Sequence, residues 1–249
     1  MNVFPLWKAF HNGKTFVAKR LARHIVGGTN GLVQSVQFHP AYAYEDFMEG
    51  IRPERTSDGQ IDYRIRNGQF VRLCVEAART NDPCVMIIDE INRANLARVF
   101  GELMYLLEYR DDAVLLPSGQ QFRVPDNVRI IGTMNTADRS IALVDHALRR
   151  RFAFLRLAPD YELLRRYHQS RGRTVDGLID TLGKINEAIG DEDYAIGISF
   201  FLVDDLPAHI ELIWKTEIVP YLEEYFFDQP ETARGYAWDR VADNITGLW

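Results

Sequence analysis

Two acidic residues that follow an apolar stretch are the part of this sequence best placed to do chemistry. Residues 84–88 predict a short strand buried on both faces, and Asp89 and Glu90 stand at its carboxyl end. Open α/β sheets bind ligands at that edge, and adjacent carboxylates there need a cation or a basic partner. We interpret Asp89 as a residue that supports Mg²⁺ and Glu90 as a group that acts on water. An acidic first turn of a helix would explain the pair without any function.

A second candidate for chemistry is the tripeptide Gly13-Lys14-Thr15, which opens a segment of helical periodicity at 16–22. The N-terminus of a helix presents free N–H groups to phosphate. Lys14 would add a positive charge there, and the hydroxyl of Thr15 can bind Mg²⁺. Because the tripeptide is common by chance, it predicts a phosphate site only together with the acidic pair.

The segment 1–12 departs from the usual phosphate-loop pattern. Lys8 stands where the eight-residue pattern needs glycine, and the bulky Phe10 stands where the backbone would curl around phosphate. Pro5 falls inside the expected first strand and removes a hydrogen-bond donor. We therefore expect a malformed first strand and phosphate loop, and weak nucleotide affinity. Two origins of this departure from the pattern stay open. One is a diverged loop in a degenerate copy of the gene. The other is a pair of compensating frameshifts, because the codons of Trp7 and Lys8, when read one base later, specify glycine.

The elements around these motifs alternate as in α/β proteins, which predicts a parallel central sheet. Further strands are predicted at 33–38, 128–133 and 152–157, helices at 69–80, 96–109 and 142–148, and hairpins within 43–80 and at 113–124. Beyond Pro159 the pattern is helical, at 161–171, 175–189 and 210–226. We predict an α/β nucleotide-binding domain over 1–157 and a small helical domain over 158–249.

The composition is ordinary, with 249 residues of which 47% are hydrophobic and 26% charged. No apolar run approaches the roughly 18 residues that a membrane span needs. The two cysteines make no disulfide framework and suit a reducing cytosol, so we expect a cytoplasmic protein without a membrane partner. The net charge of −6 excludes nucleic-acid binding by overall charge, and such binding would need a local basic patch or another domain.

Four motifs carry a resemblance to a known family. They are Gln37-Phe38-His39-Pro40, Tyr44-Glu45-Asp46-Phe47, Asp89-Glu90-Ile91-Asn92-Arg93-Ala94-Asn95 and Met134-Asn135-Thr136-Ala137-Asp138-Arg139-Ser140. From Gly13 to about Phe227 the chain resembles the AAA+ module of the McrB family, the GTP-dependent motor subunits of modification-dependent restriction systems. The last motif is the most specific of the four. The resemblance implies an AAA+ P-loop NTPase fold, an α/β domain followed by a helical lid, with Mg²⁺ and with GTP or ATP as substrate.

The resemblance assigns roles to individual residues. Gly13 and Lys14 would hold phosphate, with Thr15 and Asp89 at the metal, where Asp89 would act through water. Glu90 would orient or deprotonate the attacking water. Asn135, at the end of the neighbouring strand, matches the residue that senses the water or the γ-phosphate. Asp138, in the same motif, would support Asn135. The alternative explanation for Asn135 is an ordinary turn residue, since asparagine is common in the turn after a strand.

Three consecutive arginines, 149–151, end a predicted helix. They can complement the helix dipole, or supply an arginine finger to a neighbouring subunit. Arg149 and Arg150 are the candidates for the finger, and the sequence does not decide between them. Arg93 and Arg139 are alternatives whose ordinary explanation is a structural ion pair.

The resemblance also implies partners. A finger supplied to a neighbour predicts head-to-tail assembly into a ring, a hexamer in the family, that drives a DNA-cleaving subunit resembling McrC. DNA would be contacted through that partner or through an N-terminal reading domain that this sequence lacks. Two other functions stay open: a non-hydrolysing interaction module, favoured by the segment 1–12, and a MoxR-like chaperone ATPase, which shares the Asp-Glu and Asn elements. The motif that begins at Met134 argues against the chaperone.

Overall fold

The computed structural model describes residues 3–7, 13–55, 57–135 and 146–247. The chain divides into two compact units, one formed by Lys14–Arg156 with the strand Val3–Trp7 and one that begins at Leu157. No helix in the described ranges is long and apolar enough to cross a membrane.

The first unit is an α/β structure, as predicted. Its strands are β1 (Val3–Trp7), β2 (Val33–Gln37), β3 (Glu49–Arg55), β4 (Ile61–Asn67), β5 (Cys84–Asp89), β6 (Val114–Leu115), β7 (Gln121–Phe122), β8 (Val128–Met134) and β9 (Leu155–Arg156). Its helices are α1 (Lys14–Val26), α2 (Tyr44–Phe47), α3 (Gln69–Ala77), α4 (Leu96–Phe100), α5 (Leu103–Glu108) and α6 (His146–Arg151), with a 3₁₀ turn at Ile91–Arg93. Five strands form a sheet in the order β2-β5-β8-β1-β9, and every pairing in it is parallel. This confirms the predicted parallel central sheet.

The register of the two central strands decides which side chains meet at the carboxyl edge. β5 pairs with β8 so that Ile88 lies opposite Gly132. One residue further along, Asp89 and Thr133 are therefore neighbours. The apolar side chains of β5 are fully buried, and only its last residue, Asp89, is partly exposed.

Our expectation that Pro5 would disrupt the first strand is wrong. β1 pairs with β8 along its whole length, and Pro5 lies opposite Gly132. The short β9 meets β1 beyond the proline, at Leu6 and Trp7. A proline costs a strand one donor rather than its pairing, so the ladder tolerates it here. The expected defect in the phosphate loop falls on residues 8–12, which lie outside the described residues.

Two hairpins are inserted into this unit, as the sequence predicts, and a buried carboxylate joins them. The β3–β4 hairpin interrupts the helical segment between α2 and α3, and the β6–β7 hairpin precedes β8. Glu49, at the base of the first, is 2% exposed. It accepts hydrogen bonds from the backbone N–H and the hydroxyl of Ser118 in the turn of the second, at 2.6 and 2.9 Å. A buried charge needs such partners, so the two hairpins are fixed to each other.

The single helix predicted over 96–109 is broken in the structure. α4 ends at Phe100 and α5 begins at Leu103, because Gly101 adopts φ 48° and ψ −122°, a conformation that only glycine takes readily. A Cβ on Gly101 would lie 2.6 Å from the Cε2 atom of Tyr44. The hydroxyl of Tyr44 donates to Glu102 at 2.8 Å, which holds the ring in place.

The second unit is helical. Its elements are α7 (Tyr161–Gln169), α8 (Asp176–Ile189), a 3₁₀ turn (Ser199–Phe201), α9 (Leu206–Ile213), a π-helical turn (Trp214–Ile218), α10 (Val219–Tyr225), α11 (Pro230–Arg234) and α12 (Trp238–Thr246). The helix predicted over 210–226 begins earlier, at Leu206, and includes the π turn. Pro220 cannot donate to a carbonyl one turn earlier, and the wider π turn that precedes it accommodates this loss.

Gly101→Ala should lower the free energy of unfolding by about 3 kcal/mol, because the new Cβ meets both a forbidden backbone conformation and the ring of Tyr44. Gly119→Ala is the matched control, since Gly119 also has a positive φ, of 82°, but has open space where its Cβ would stand. It should cost about 1 kcal/mol. Urea denaturation of both variants measures the difference, and equal losses would contradict the role of Tyr44.

Candidate functional site

The predicted site residues of α1 and β5 meet at the carboxyl edge of the sheet. The hydroxyl of Thr15, in the first turn of α1, donates to Oδ1 of Asp89 at 2.9 Å. The hydroxyl of Thr133, on β8, donates to the same oxygen. Three elements that are distant in sequence therefore converge on one carboxylate.

Lys14 brings a positive charge to the same place. Its Nζ donates to the carbonyl of Met134 at 3.0 Å and lies 3.4 Å from Oδ1 of Asn135. Burial lowers the pKa of Lys14 to about 8, and the nearby carboxylates of Glu90 and Asp89 oppose this shift. The first turn of α1 carries no acidic residue, so no carboxylate of that turn would repel an anion bound at the N-terminus of the helix.

Glu90 has an unusual backbone. With φ 52° and ψ 47° it is the only residue other than glycine with a positive φ in the part of the chain that the structure describes. Such a conformation costs about 1–3 kcal/mol and concentrates at functional sites. The N–H of Glu90 donates to the hydroxyl of Thr133 at 3.2 Å, and its carboxylate forms an ion pair with Arg93. Arg93 was an alternative candidate for the arginine finger, and its ion pair with Glu90 is the structural role that the sequence also allowed.

Asn135 is held by the turn that follows Glu90. The side-chain amide of Asn92, which is buried, donates to the carbonyl of Asn135 at 2.9 Å. The structure therefore brings Asn135 together with Lys14 and the acidic pair. Asp138 and Arg139 lie outside the described residues.

The arginines of α6 are divided between two environments. Arg149 and Arg150 are exposed, whereas Arg151 forms an ion pair with Glu108. Because Arg150 is exposed, its side chain is accessible to another molecule.

The donors at the sheet edge fit Mg²⁺ bound together with phosphate. Mg²⁺ prefers oxygen ligands and keeps several waters, so that one or two protein oxygens and the phosphates suffice to hold it. Thr15 and Asp89 supply such oxygens in mutual contact. In the described part of the chain no group of three or more His, Cys, Asp or Glu side chains could hold a metal by itself.

Sequence reasoning missed Thr133 and Asn92. Thr133 is 2% exposed and contacts both acids. A polar residue that directly follows Ile130, Ile131 and Gly132, two positions before Asn135, is the signal that could have identified it. Asn92 lies within a motif that the sequence analysis recognised, but nothing in its spacing predicts a bond to Asn135.

Comparison with known proteins is consistent with this geometry. The family described as AAA domain (dynein-related subfamily) matches residues 12–152, and the family described as McrB, alpha-helical lid domain, matches residues 177–234. The chain is 40% identical over 247 residues to the type IV methyl-directed restriction enzyme EcoKMcrB subunit of Escherichia coli strain K12. That alignment covers 88% of this chain and 52% of the relative, so the chain spans about half the length of that protein.

A second relative is more distant. The type II restriction enzyme BsuMI component YdiS of Bacillus subtilis strain 168 is 24% identical over 268 residues, covering 88% of this chain and 78% of the relative. Since the first domain family matches more than half of the chain and the lid family matches within the second unit, the chain belongs to the AAA domain family, dynein-related subfamily, as a McrB-like AAA+ module.

Proposed function

We propose that this module binds GTP or ATP with Mg²⁺, hydrolyses it, and serves as the motor subunit of a modification-dependent restriction system. The observation that carries the proposal is the contact between the hydroxyl of Thr15 and the carboxylate of Asp89, beside the ammonium group of Lys14. Hydrolysis of a nucleoside triphosphate needs phosphate positioning, a metal site and an oriented water. At this sheet edge Lys14 can position phosphate, Thr15 and Asp89 can bind the metal, and Glu90 can orient the water.

Lys14 and the first N–H groups of α1 bind the phosphates in this proposal, with Gly13 preceding them. Lys14 exchanges the carbonyl of Met134 for a phosphate oxygen, which satisfies its charge better than a neutral acceptor does. Thr15 and Asp89 hold Mg²⁺, which when bound neutralises negative charge on the phosphates.

Glu90 orients and deprotonates the attacking water, and Asn135 positions that water or the terminal phosphate. In the structure the carboxylate of Glu90 is paired with Arg93. The proposal therefore requires Glu90 to exchange this ion pair for water in the active state. Asp138 remains a candidate supporting residue.

Activity in this proposal depends on assembly. An exposed arginine at the end of α6, Arg150 or its neighbour Arg149, stabilises charge in the site of the next subunit. Such a contact is head-to-tail and closes into a ring, as in the hexamers that the resemblance implies. The names of the two relatives support a restriction system, in which a DNA-cleaving subunit resembling McrC would be the partner and DNA would be contacted by that partner or by a separate reading domain.

A non-hydrolysing interaction module is the second candidate. It is favoured by the segment 1–12, whose residues depart from a phosphate loop. Turnover of GTP and of ATP, each measured with and without the DNA-cleaving partner, separates the two functions. Absence of turnover under all four conditions would support the module.

Glu90→Gln should retain nucleotide binding and lower turnover by at least about a hundredfold, because binding uses the phosphate and metal contacts while hydrolysis needs the base. Glu76→Gln is the control, since Glu76 is an exposed residue of α3 paired with Arg79. Steady-state phosphate release and nucleotide binding are measured on both variants. Turnover by Glu90→Gln at the rate of the control would remove Glu90 from the reaction.

Nucleotide affinity should fall as the pH rises through about 8, because the ammonium group of Lys14 in the protein without nucleotide loses its proton there. The loss should approach about tenfold per pH unit, because binding then requires uptake of a proton. In Lys14→Arg the guanidinium stays protonated, so the affinity should become nearly independent of pH in this range. Titration calorimetry from pH 7 upward tests this, and an equal decline in Lys14→Arg would assign the effect to another group.

A further inference from the structure

We propose that Thr133 is the positioning residue of this site and fixes both acids at once. Its hydroxyl would hold the carboxylate of Asp89 in orientation and keep the backbone of Glu90 in the left-handed conformation. The inference rests on the proposed function for its effect on catalysis, but the contacts that carry it are read directly from the structure.

The first support is the hydrogen bonding of one hydroxyl. Thr133 accepts from the N–H of Glu90 at 3.2 Å and donates to Oδ1 of Asp89. A threonine hydroxyl has one proton and two lone pairs, so a single orientation satisfies both bonds. Since Thr133 is 2% exposed, bulk water cannot readily take over either bond, and loss of the hydroxyl would leave buried polar groups without partners.

The second support is that two threonines contact the same carboxylate but have different proposed roles. Thr15 and Thr133 both donate to Oδ1 of Asp89, so neither occupies Oδ2. Thr15 is a candidate metal ligand at the start of α1, whereas Thr133 lies on the neighbouring strand β8. Thr133 can therefore keep its bond to Asp89 while Thr15 turns to a metal, which gives the carboxylate one fixed anchor.

The third support is the backbone of Glu90. A left-handed glutamate needs surrounding contacts that stabilise this conformation. The bond from its N–H to Thr133 is one such contact, and close packing of the next residue is another. A Cβ on Gly132 would lie 3.0 Å from Cδ1 of Ile91, so the small residue at 132 lets the turn after Glu90 lie against β8. Consecutive residues of β8 thus shape the turn that carries the proposed base.

Thr133 also lies on the strand that leads to the proposed sensor. β8 ends at Met134, and Asn135 follows it directly, two residues after Thr133. Movement of β8 would therefore reach Asn135, Asp89 and Glu90 together. Thr133 is thus the point at which the strand that leads to Asn135 contacts both acids.

The test compares Thr133→Val, which keeps the shape and removes the hydroxyl, with Thr133→Ser, which keeps the hydroxyl. The valine variant should need about 10–100 times more Mg²⁺ for half-maximal nucleotide binding, the usual effect of losing a residue that orients a metal ligand. Its nucleotide binding in EDTA should be unchanged because Lys14 is intact. The serine variant should match the wild type. Thr133→Ala provides a second variant without the hydroxyl if valine impairs folding, which thermal denaturation reports.

Crystal structures of the nucleotide-free variants supply a readout that does not depend on activity. Glu90 should keep its positive φ in Thr133→Ser and lose it in Thr133→Val or Thr133→Ala. A left-handed Glu90 in the variants without the hydroxyl, or an unchanged Mg²⁺ requirement, would overturn the role of Thr133. Failure of the wild type to bind any nucleotide would instead contradict the proposed function, and the conformation of Glu90 would still decide the role of Thr133.

Discussion

The carboxylate of Asp89 between two threonine hydroxyls is the interaction on which the rest of this site depends. One hydroxyl comes from the start of α1 and the other from β8, so a single charged group ties a helix and two strands together. Hydrogen bonds to a charged acceptor are stronger than those between neutral groups. They also offset the cost of placing a carboxylate at the end of a fully buried strand. The position of Lys14 and the turn at Glu90 both follow from this arrangement.

The parts of the fold that depend on local pattern could be predicted from the sequence. The uninterrupted apolar run at 84–88 predicts β5, and the inserted hairpins follow from alternation and turn residues. The break between α4 and α5 was missed because Val99, Leu103 and Leu106 keep helical spacing across Gly101. The spacing of apolar residues shows which face of a helix is buried, but it does not show a change of backbone conformation at a single glycine. The ring that lies next to Gly101 belongs to Tyr44, which is distant in sequence.

The site was predictable to a smaller extent, because its geometry depends on strand register. The residue types at Lys14, Thr15, Asp89, Glu90 and Asn135 indicate nucleotide chemistry, and their roles remain predictions. Thr133 could not be placed beside Asp89 without knowing that Ile88 lies opposite Gly132. A shift of one residue would turn Thr133 to the other face of the sheet. The ion pair between Glu90 and Arg93 depends equally on a left-handed residue that no propensity predicts.

In the proposed function, Thr15 and Asp89 form the part of the nucleotide site that binds the metal. The most direct test of this assignment is the affinity of the wild-type chain and of Asp89→Asn for GTP and ATP, measured by titration calorimetry in Mg²⁺ and in EDTA. Mg²⁺ should strengthen nucleotide binding to the wild type, and Asp89→Asn should lose this gain while its binding in EDTA is unchanged. An equal gain from Mg²⁺ in both proteins would contradict this assignment.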